Sequence, residues 1–415
     1  MVKTEISHDV VIVGGGIVGT TAAYFLSRQG KSVALLEKGQ IAGEQSSRNW
    51  GSVRVQGRHA EEVPIMLDSL NIWRSAETQL GESVDWRQNG QMLVAYDEPH
   101  LAQLEATVFE QRRFGIPSRI LGPREIKQTL PYFEGTGCVG AMFNPEDGCA
   151  EPQKAAPAFG RAAVRAGVAM FTHCAALGIE TRAGAVCGVQ TERGLFKAET
   201  VVLASGAWTG RLLKPLGVKH PSLWIRGSAA LTTPLDIEMR KAVVWGQTAY
   251  RQRLDNRVVI AVSEDGFHDL MLDSFIHGIS FLPLAKKNRH LLRFSLGRPF
   301  FQSLGGEFST FTRHRTLDPA ADHKGLDKAK ALFLEEYPDA GTIDYERTWA
   351  GYIDYMPDEL PVIDQPTYPG GLIIAAGFSG NGFGLGPGVG KTISDLIITG
   401  KSTHDLSAFS STRFQ

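Results

Sequence analysis

Cysteine is scarce in this chain, with four residues among 415, and no two of them form a Cys-x-x-Cys pair. Cys138, Cys149, Cys174 and Cys187 have neither the density of a disulfide-stapled secreted domain nor the spacing of a zinc site. We interpret them as reduced thiols. We therefore expect a cytoplasmic protein without a metal centre.

Long apolar runs and an excess of charge are also missing. No apolar stretch reaches the ~20 residues of a membrane-spanning helix. Residues 1–7 are short and polar, and glycines interrupt the apolar run behind them, so we expect neither a signal peptide nor a transmembrane segment. Peripheral contact with a membrane stays open. The formal net charge of −1 provides no basic field for nucleic acid.

The start of the chain carries a strand, turn, helix and strand in sequence. Asp9–Val13 is almost wholly apolar, as expected of a strand that is covered on both faces. Residues 17–29 have helical spacing of apolar side chains, and residues 32–36 form a second apolar run that ends at Glu37. The order predicts a β-α-β unit.

Three glycines in the turn have separate physical roles. Gly14 permits the tight turn, Gly16 lets a pyrophosphate approach the backbone, and Gly19 allows close packing of helix on strand. Free N–H groups at the helix start attract phosphate, and Glu37 is placed to accept hydrogen bonds from a ribose. The motif predicts dinucleotide binding. The carboxylate disfavours NADP, and FAD and NAD both remain open at this point.

The Gly386–Thr392 stretch superficially resembles a phosphate-binding loop. That motif requires a glycine where Leu385 stands, so we exclude ATP and GTP binding. We interpret the stretch as a glycine-rich turn that lets backbone N–H groups lie close to a ligand. Farther upstream, alternating residues on both sides of Asn89-Gly90 predict a hairpin over Val84–Tyr96.

Four stretches, in this order, resemble the D-amino acid oxidase family of flavoproteins, which includes glycine oxidase, sarcosine oxidase and D-amino acid dehydrogenase. They are the N-terminal motif ending in Glu37, Ser46-Ser47-Arg48-Asn49-Trp50-Gly51, Val201-Val202-Leu203-Ala204-Ser205-Gly206-Ala207-Trp208, and Gly377-Phe378-Ser379-Gly380-Asn381-Gly382-Phe383-Gly384, the last preceded by Trp349-Ala350-Gly351 and Met356-Pro357-Asp358. The resemblance decides for FAD over NAD. It implies an α/β fold in which a Rossmann-like FAD-binding domain is interleaved with an antiparallel β-sheet-rich (α+β) substrate domain.

The nucleotide-type segments lie at the start, middle and end of the chain. We therefore predict a discontinuous FAD-binding domain over residues 1–85, 150–222 and 338–415, and a substrate-binding domain over 86–149 and 223–337. The resemblance implies cofactor contacts in all four stretches. The residues expected to hold FAD are Gly14, Gly16, Ile17, Val18, Gly19, Glu37, Lys38, Ser46, Ser47, Arg48, Asn49, Trp50, Gly51, Ala204, Gly206, Trp208, Gly351, Gly380, Asn381, Gly382, Phe383 and Gly384.

The chain departs from its relatives at the positions that bind substrate or attach the cofactor. Ile353 stands where glycine oxidase and D-amino acid dehydrogenases carry an arginine for the substrate carboxylate. Gly384 stands where monomeric sarcosine oxidase has a lysine. No cysteine lies near Gly351, where that enzyme attaches FAD, so we expect a non-covalent cofactor. The missing anchors weaken an assignment to a simple amino acid.

Other residues are candidates for the substrate side. Arg54 lies in the loop whose arginine binds a carboxylate in the sarcosine oxidase pattern; alternatively, it pairs with an acid or with the FAD phosphates. Arg226 ends a strand at the expected domain junction, Tyr352 is placed to close a pocket, and His59 can accept a proton. Further candidates are Arg58, Arg298 and Tyr250.

The resemblance implies hydride transfer from a carbon that bears nitrogen, leaving an imine that water hydrolyses. The expected substrate is a small amine or amino acid, either D-amino or N-substituted. Two alternatives are a non-catalytic FAD-binding subunit or assembly factor and an FAD enzyme that oxidises a non-amine substrate. The electron acceptor is oxygen, a quinone or a partner protein, and the missing lysine favours a dehydrogenase. A homo-oligomer is compatible with the sequence.

Overall fold

The computed structural model describes residues 6–246, 248–262, 266–287, 292–296, 300–301 and 311–414. Within these ranges the helices are α1 (Ile17–Arg28), α2 (Gln45–Arg48), α3 (Val63–Leu80), α4 (Glu98–Arg112), α5 (Pro123–Thr129), α6 (Pro152–Arg165), α7 (Thr209–Leu213), α8 (Leu272–His277), α9 (Leu282–Lys287), α10 (His323–Glu336) and α11 (Gly382–Thr399). Short 3-10 turns occupy Gly206–Trp208, Lys214–Leu216, Gly278–Phe281, Pro338–Ala340, Ser407–Phe409 and Ser411–Phe414.

The strands of the same ranges follow in chain order. They are β1 (Ile6–Ser7), β2 (Val10–Val13), β3 (Val33–Leu36), β4 (Ser52–Val53), β5 (Gln91–Ala95), β6 (Arg119–Leu121), β7 (Gly140–Asn144), β8 (Gly148–Cys149), β9 (Ala169–Phe171), β10 (Ala176–Arg182), β11 (Ala185–Thr191), β12 (Gly194–Lys197), β13 (Thr200–Leu203), β14 (Leu223–Thr232), β15 (Ala242–Trp245), β16 (Thr248–Gln252), β17 (Val258–Val262), β18 (Gly266–Asp269), β19 (Leu292–Ser295), β20 (Tyr345–Tyr355), β21 (Val362–Asp364) and β22 (Leu372–Ala376).

One sheet of the described chain has six strands in the order β21-β22-β13-β2-β3-β9. All neighbours are parallel except β21, which runs antiparallel at the edge. Val10 and Ile12 pack into a core formed with α1, α3, α6 and α11. Val11 and Val13 pack on the opposite face against residues of β10, β11 and β12. Both faces are covered, which confirms the prediction for the first strand and explains its unbroken apolar run.

A second, mostly antiparallel sheet has ten strands, in the order β19-β18-β14-β17-β16-β15-β5-β7-β6, with β20 paired to β14. One face packs on α10 through Tyr250, Phe333 and Tyr337. The other face carries a smaller apolar cluster that includes Ala229 and Ala249. The parallel α/β sheet and the antiparallel-rich sheet confirm the predicted fold class.

The predicted hairpin at Asn89-Gly90 is wrong. Gly90 does turn the chain, with a φ of +75°. However, β5 pairs with β7 and β15, and not with the residues before the turn. The Gly90 N–H donates to the Asp147 carbonyl at 2.8 Å, and Arg87 bridges Cys149, so both sides of the turn pair with other segments.

The predicted turn over Gly386–Thr392 is also wrong, because these residues lie inside α11. A Cβ at Gly390 would lie 2.2 Å from Thr21 Oγ1, so glycine lets α11 approach α1 closely. Lys391 pairs with Asp395 one turn on, at 2.5 Å. The glycines therefore serve helix packing.

The sheets cut across the predicted domain segments. β20 lies in the segment assigned to the FAD-binding domain but pairs along its length with β14 of the ten-stranded sheet. The division into domains stays a prediction. In the parts of the chain that the structure describes, no helix has the length and apolar character needed to cross a membrane.

Candidate active site

A cavity of about 500 Å³ lies between the two large sheets. Residues at the carboxyl ends of β2, β3 and β13 line one side of it, and strands β14 to β17 supply the other side. All four stretches that the sequence singled out contribute, through Gly16, Ser46, Ala204 and Gly380. In open α/β sheets, ligands bind outside the carboxyl ends of the strands. The structure thus brings the separate motifs to one site.

The first glycine turn is shaped by close backbone contacts. Gly14 has a φ of +113°, and a Cβ there would lie 2.3 Å from the Ala204 carbonyl oxygen. A Cβ at Gly19 would lie 2.0 Å from the Gly14 carbonyl oxygen. Ser46 Oγ accepts a hydrogen bond from the Ile17 N–H, at 2.8 Å, at the start of α1. The positive end of α1 therefore faces the cavity, where it favours an anionic group.

Glu37 lies at the end of β3 and lines the cavity. Its carboxylate accepts hydrogen bonds from the Gly15 N–H at 2.8 Å and the Gly39 N–H at 2.7 Å. Burial raises the pKa of this carboxyl group, and the two backbone donors partly oppose that shift. Each oxygen has a further lone pair, so the fixed carboxylate can also accept a ribose hydroxyl.

Glu44 organises two of the predicted cofactor residues, and sequence reasoning missed it. Lys38 Nζ lies 2.5 Å from Glu44 Oε1, and Trp208 Nε1 donates to Glu44 Oε2 at 2.9 Å. The Lys38 ammonium also lies 4.5 Å from the centre of the Trp208 ring. The Lys38 charge is thus balanced beside the cavity by Glu44. The only signal in sequence is an acid in the loop after the lysine.

The loop after Glu44 is fixed to both large sheets. Gln45 Oε1 accepts from the Ala207 N–H at 3.1 Å, which ties the loop to the turn after β13. Arg48 Nη1 donates to the Ala350 carbonyl at 2.9 Å, and Trp349 Nε1 donates to the Arg48 carbonyl at 2.8 Å. The loop therefore holds Trp50 against the ten-stranded sheet.

Some predicted cofactor residues do not line the cavity. Gly384 is one of them, because its carbonyl accepts hydrogen bonds from Trp73 and Ser69 and packs α11 on α3. The predicted residues outside the lining are Gly19, Ser47, Gly51, Asn381 and Gly384, and those that line it are Gly14, Gly16, Ile17, Val18, Glu37, Lys38, Ser46, Arg48, Asn49, Trp50, Ala204, Gly206, Trp208, Gly351, Gly380, Gly382 and Phe383.

Arg54 lines the cavity and donates to the Gln56 carbonyl. Burial lowers the pKa of its guanidinium group, and the charge of Asp147 opposes this. Asp147 accepts from the Val55 N–H at 2.7 Å and the Gln56 N–H at 3.4 Å, which shapes the loop around Arg54. Burial raises the pKa of Asp147 to about 7.

Arg58 lies behind Arg54 and outside the lining. Its Nε donates to the Arg54 carbonyl at 3.1 Å, and its buried Nη1 has no hydrogen-bond partner among the described residues. His59 is exposed, does not line the cavity, and donates its backbone N–H to Glu62 at 3.3 Å. The structure therefore brings Arg54, but not Arg58 or His59, into the cavity.

Tyr352 lines the cavity, and Arg226 lies next to it on the paired strand but outside the lining. Asp269, which sequence reasoning missed, joins them. Its Oδ2 accepts from the Tyr352 hydroxyl at 2.7 Å and lies 3.6 Å from Arg226 Nε. Burial and this carboxylate both raise the Tyr352 pKa. Arg226 also donates to the Ala320 carbonyl at 3.0 Å, so its guanidinium group is held by contacts within the protein.

Two further candidates lie elsewhere. Tyr250 is fully buried on the opposite face of the ten-stranded sheet, where its hydroxyl donates to the Tyr337 hydroxyl at 3.4 Å. Arg298 lies outside the described residues.

A buried acid and histidine border the last glycine turn, and sequence reasoning missed both. Asp354 lines the cavity and accepts from the Gly377 N–H at 2.8 Å, and its carbonyl accepts from Ser379 at 2.9 Å. His220 Nε2 lies 3.7 Å from Asp354 Oδ2. Both His220 ring nitrogens and Asp354 Oδ1 are buried without hydrogen-bond partners in the described part of the chain. Asp354 thus ties β20 to the turn after β22.

Comparison with known proteins gives matches over almost the whole chain. Residues 9–396 match the family described as DAO: FAD dependent oxidoreductase. Glycine oxidase of Bacillus subtilis (strain 168) is 27% identical over 410 residues, covering 96% of this chain and 95% of that protein. Sarcosine oxidase subunit beta of an Arthrobacter species is 26% identical, covering 99% of this chain and 91% of that subunit.

Among solved structures, L-amino acid deaminase from Proteus myxofaciens in complex with anthranilate superimposes with a TM-score of 0.93. That chain is 27% identical, and the match covers 100% of this chain and 95% of that one. The superposition therefore includes both large sheets.

Proposed function

The chain belongs to the family of FAD-dependent oxidoreductases, and from this premise we propose that it oxidises the carbon–nitrogen bond of an amino acid or a related amine. The observation that carries the proposal is the position of Arg54, a cation in the same cavity as the glycine turns of the cofactor site. A guanidinium group is the side chain best suited to bind a carboxylate in two-point contact. Arg54 replaces the anchor that Ile353 cannot supply.

The residues present fit FAD. Glu37 is fixed to accept a ribose, the start of α1 faces the cavity with its N–H groups, and the turns at Gly206 and Gly380 line the same space. Gly14 and Gly206 both have positive φ, +113° and +53°, a backbone conformation that favours glycine. When bound, FAD supplies a hydride acceptor, and the protein supplies orientation.

The chain's own residues orient the substrate and control its charge. Arg54 holds the carboxylate, and its positive charge favours the neutral form of a nearby amine. A neutral amine is needed because its lone pair assists removal of hydride from the adjacent carbon. Tyr352, held by Asp269, and Ile353 form the wall beside the last glycine turn. Water then hydrolyses the imine to a carbonyl compound and ammonia or a smaller amine.

The similar proteins support this class of substrate. Their names give glycine, sarcosine and L-amino acids as substrates of those proteins. Anthranilate, in the complex with the L-amino acid deaminase, has a carboxylate next to an amino group. Oxygen, a quinone or a partner protein would take the electrons in this chain. Comparison of hydrogen peroxide yield with reduction of a dye would separate oxidase from dehydrogenase.

Anaerobic reduction of the bound flavin tests the proposal. The purified holoprotein is mixed under nitrogen with both enantiomers of the common amino acids, with N-methyl amino acids and with simple amines. We expect loss of the yellow flavin colour with one chemical group of amines. Bleaching by 2-hydroxy acids only would identify an enzyme that oxidises C–O bonds. A flavin that no compound reduces would favour a non-catalytic FAD-binding subunit.

A further inference from the structure

Three alanines from three strands lie side by side on the cavity face of the ten-stranded sheet. Ala229 of β14 is paired with Ala261 of β17, and Ala261 is paired with Ala249 of β16. Ala249 is in turn opposite Val244 of β15. All four residues line the cavity. We call Ala229, Ala261 and Ala249 the alanine row.

Side chains that are paired across neighbouring strands point to the same face of a sheet. Neighbouring strands lie about 4.8 Å apart, so the alanine row with Val244 extends over about 14 Å. Two residues farther along the strands, Leu231 is paired with Val259, and Val259 with Arg251. These longer side chains stand beside the row of methyl groups. The row is therefore recessed on that side, and we call the space above it the trough.

The described side chains beside the trough are apolar, with Arg251 as the exception. Trp50 and Trp349 pack against the cluster that contains the alanine row. Arg251, the charged neighbour, is only 2% exposed and is held by the Trp50 carbonyl and by Glu151, 3.4 Å away. Among the described lining residues that β14 to β17 supply, none is charged.

The charged lining residues lie elsewhere around the cavity. Arg54 belongs to this group and is the proposed carboxylate anchor. The group consists of Glu37, Lys38, Glu44, Arg48, Arg54 and Asp354. A ligand with a carboxylate at Arg54 and a large apolar group in the trough would therefore match the polarity of both surfaces.

We propose that the alanine row is the specificity surface of the site and that it binds the side chain of a substrate amino acid with a bulky aliphatic or aromatic group. This inference rests on the proposed function. Apolar contact with the alanine row favours large side chains, because the hydrophobic effect grows with the apolar area that is buried. Glycine and alanine would leave the trough without contacts, and charged side chains would lose hydration without a partner.

Substrate ranking tests the proposal in the wild-type protein. Rates of anaerobic flavin reduction are compared for glycine, alanine, leucine, phenylalanine, glutamate and lysine, in both enantiomers where they exist. We expect leucine or phenylalanine to exceed alanine in kcat/KM by about 10-fold or more, since one methylene in an apolar pocket is worth about 10-fold. Binding is measured independently from the flavin spectrum with 4-methylpentanoate and acetate, which lack an amine. The first should bind more tightly.

Variants test whether the alanine row determines the preference for large side chains. Ala249→Val and Ala261→Val fill the trough, and we expect each to lower kcat/KM for leucine and phenylalanine by about 10-fold while alanine changes less than about 3-fold. Ala230→Val is the matched control. Ala230 is fully buried in the same strand as Ala229 but lies outside the lining. It should leave the ranking unchanged.

Val244→Ala enlarges the trough and covers the case in which the valine variants fail to fold. It should shift the preference towards larger side chains. The proposal is overturned if the wild type prefers glycine, alanine or charged amino acids, or if the valine variants lower all rates equally. In both cases the flavin is still reduced by amines, so the proposed function stands. Failure of every amine to reduce the flavin would remove the proposed function instead.

Discussion

At one end of the cavity, glycine turns present backbone N–H groups and a fixed Glu37 carboxylate. At the other end, the alanine row presents side chains from three separate strands, β14, β17 and β16, which lie side by side in the sheet. Each glycine turn of the first end is made by consecutive residues, so its geometry depends on φ and on close backbone contacts. The second end is formed by side chains that the pairing register of neighbouring strands brings together, so its geometry depends on which strands pair. Mutations should therefore affect cofactor and substrate separately.

The largest effect is expected at the cofactor end. Gly14→Ala places a Cβ 2.3 Å from the Ala204 carbonyl oxygen at a φ of +113°. Because that oxygen belongs to the backbone directly after the central strand β13, the glycine turn must move, and we expect the protein to be purified without FAD. Flavin content per chain measures this.

Gly30→Ala is the matched control for the first prediction. Gly30 also has a positive φ, +81°, but nothing lies within 4 Å of its Cβ position. It should keep FAD and lose only about 1 kcal/mol of stability. Equal loss of flavin in both variants would show that backbone strain alone, and not contact with Ala204, decides cofactor binding.

Arg54→Gln should have the next largest effect, and it acts on substrate. Loss of a buried charge partner costs about 2–5 kcal/mol, so we expect KM for an amino acid substrate to rise about 30-fold or more. An amine without a carboxylate should be affected much less. Arg226→Gln is the control, because Arg226 lies outside the cavity. A larger KM effect at Arg226 would assign the anchor to that residue.

Tyr352→Phe should have a moderate effect. The change removes the hydroxyl that donates to Asp269 at 2.7 Å and keeps the ring that lines the cavity. A hydrogen bond to a charged group contributes about 1.5–3 kcal/mol. We expect a lower melting temperature. We also expect kcat/KM to change by less than about 10-fold, which corresponds to a change of less than about 1.4 kcal/mol in activation free energy. A collapse of kcat at unchanged stability would make Tyr352 a catalytic residue.

Asp147→Asn should give the smallest effect, visible in the pH dependence of stability. The folded-state pKa of Asp147 is about 7, above the ordinary aspartate value. The folded state therefore binds an extra proton between about pH 4 and 7, and this residue's contribution to stability falls as pH rises through that window. Between pH 5 and pH 8, the melting temperature of the variant should rise by a few degrees relative to that of the wild type. The opposite trend would mean that Asp147 is ionised and paired with Arg54.

The two ends also differ in how far sequence could predict them. The first strand, α1 and Glu37 follow from local spacing, because the residues that build the turn are consecutive. Ala229 and Ala249 are 20 residues apart and come together only through β17, which no local pattern reveals. Asp269 likewise reaches Tyr352 and Arg226 through pairing of β14 with β18 and β20.

The errors have the same cause. The residues around Asn89-Gly90 alternate like a hairpin, but the pairing partner of β5 lies about 50 residues away in β7. The glycines of Gly386–Thr392 are typical of a turn by composition, and only contact with α1 explains why they occur in a helix. His220 and Asp354 could not be linked, since 134 residues separate them in the chain.

Single-turnover product analysis shows whether the protein oxidises a C–N bond. Holoprotein is reduced under nitrogen by its best amino acid, and the products are counted against the flavin. We expect one oxo acid and one ammonia, or one smaller amine, for each flavin reduced. Reduced flavin without release of nitrogen from the substrate would contradict C–N bond oxidation.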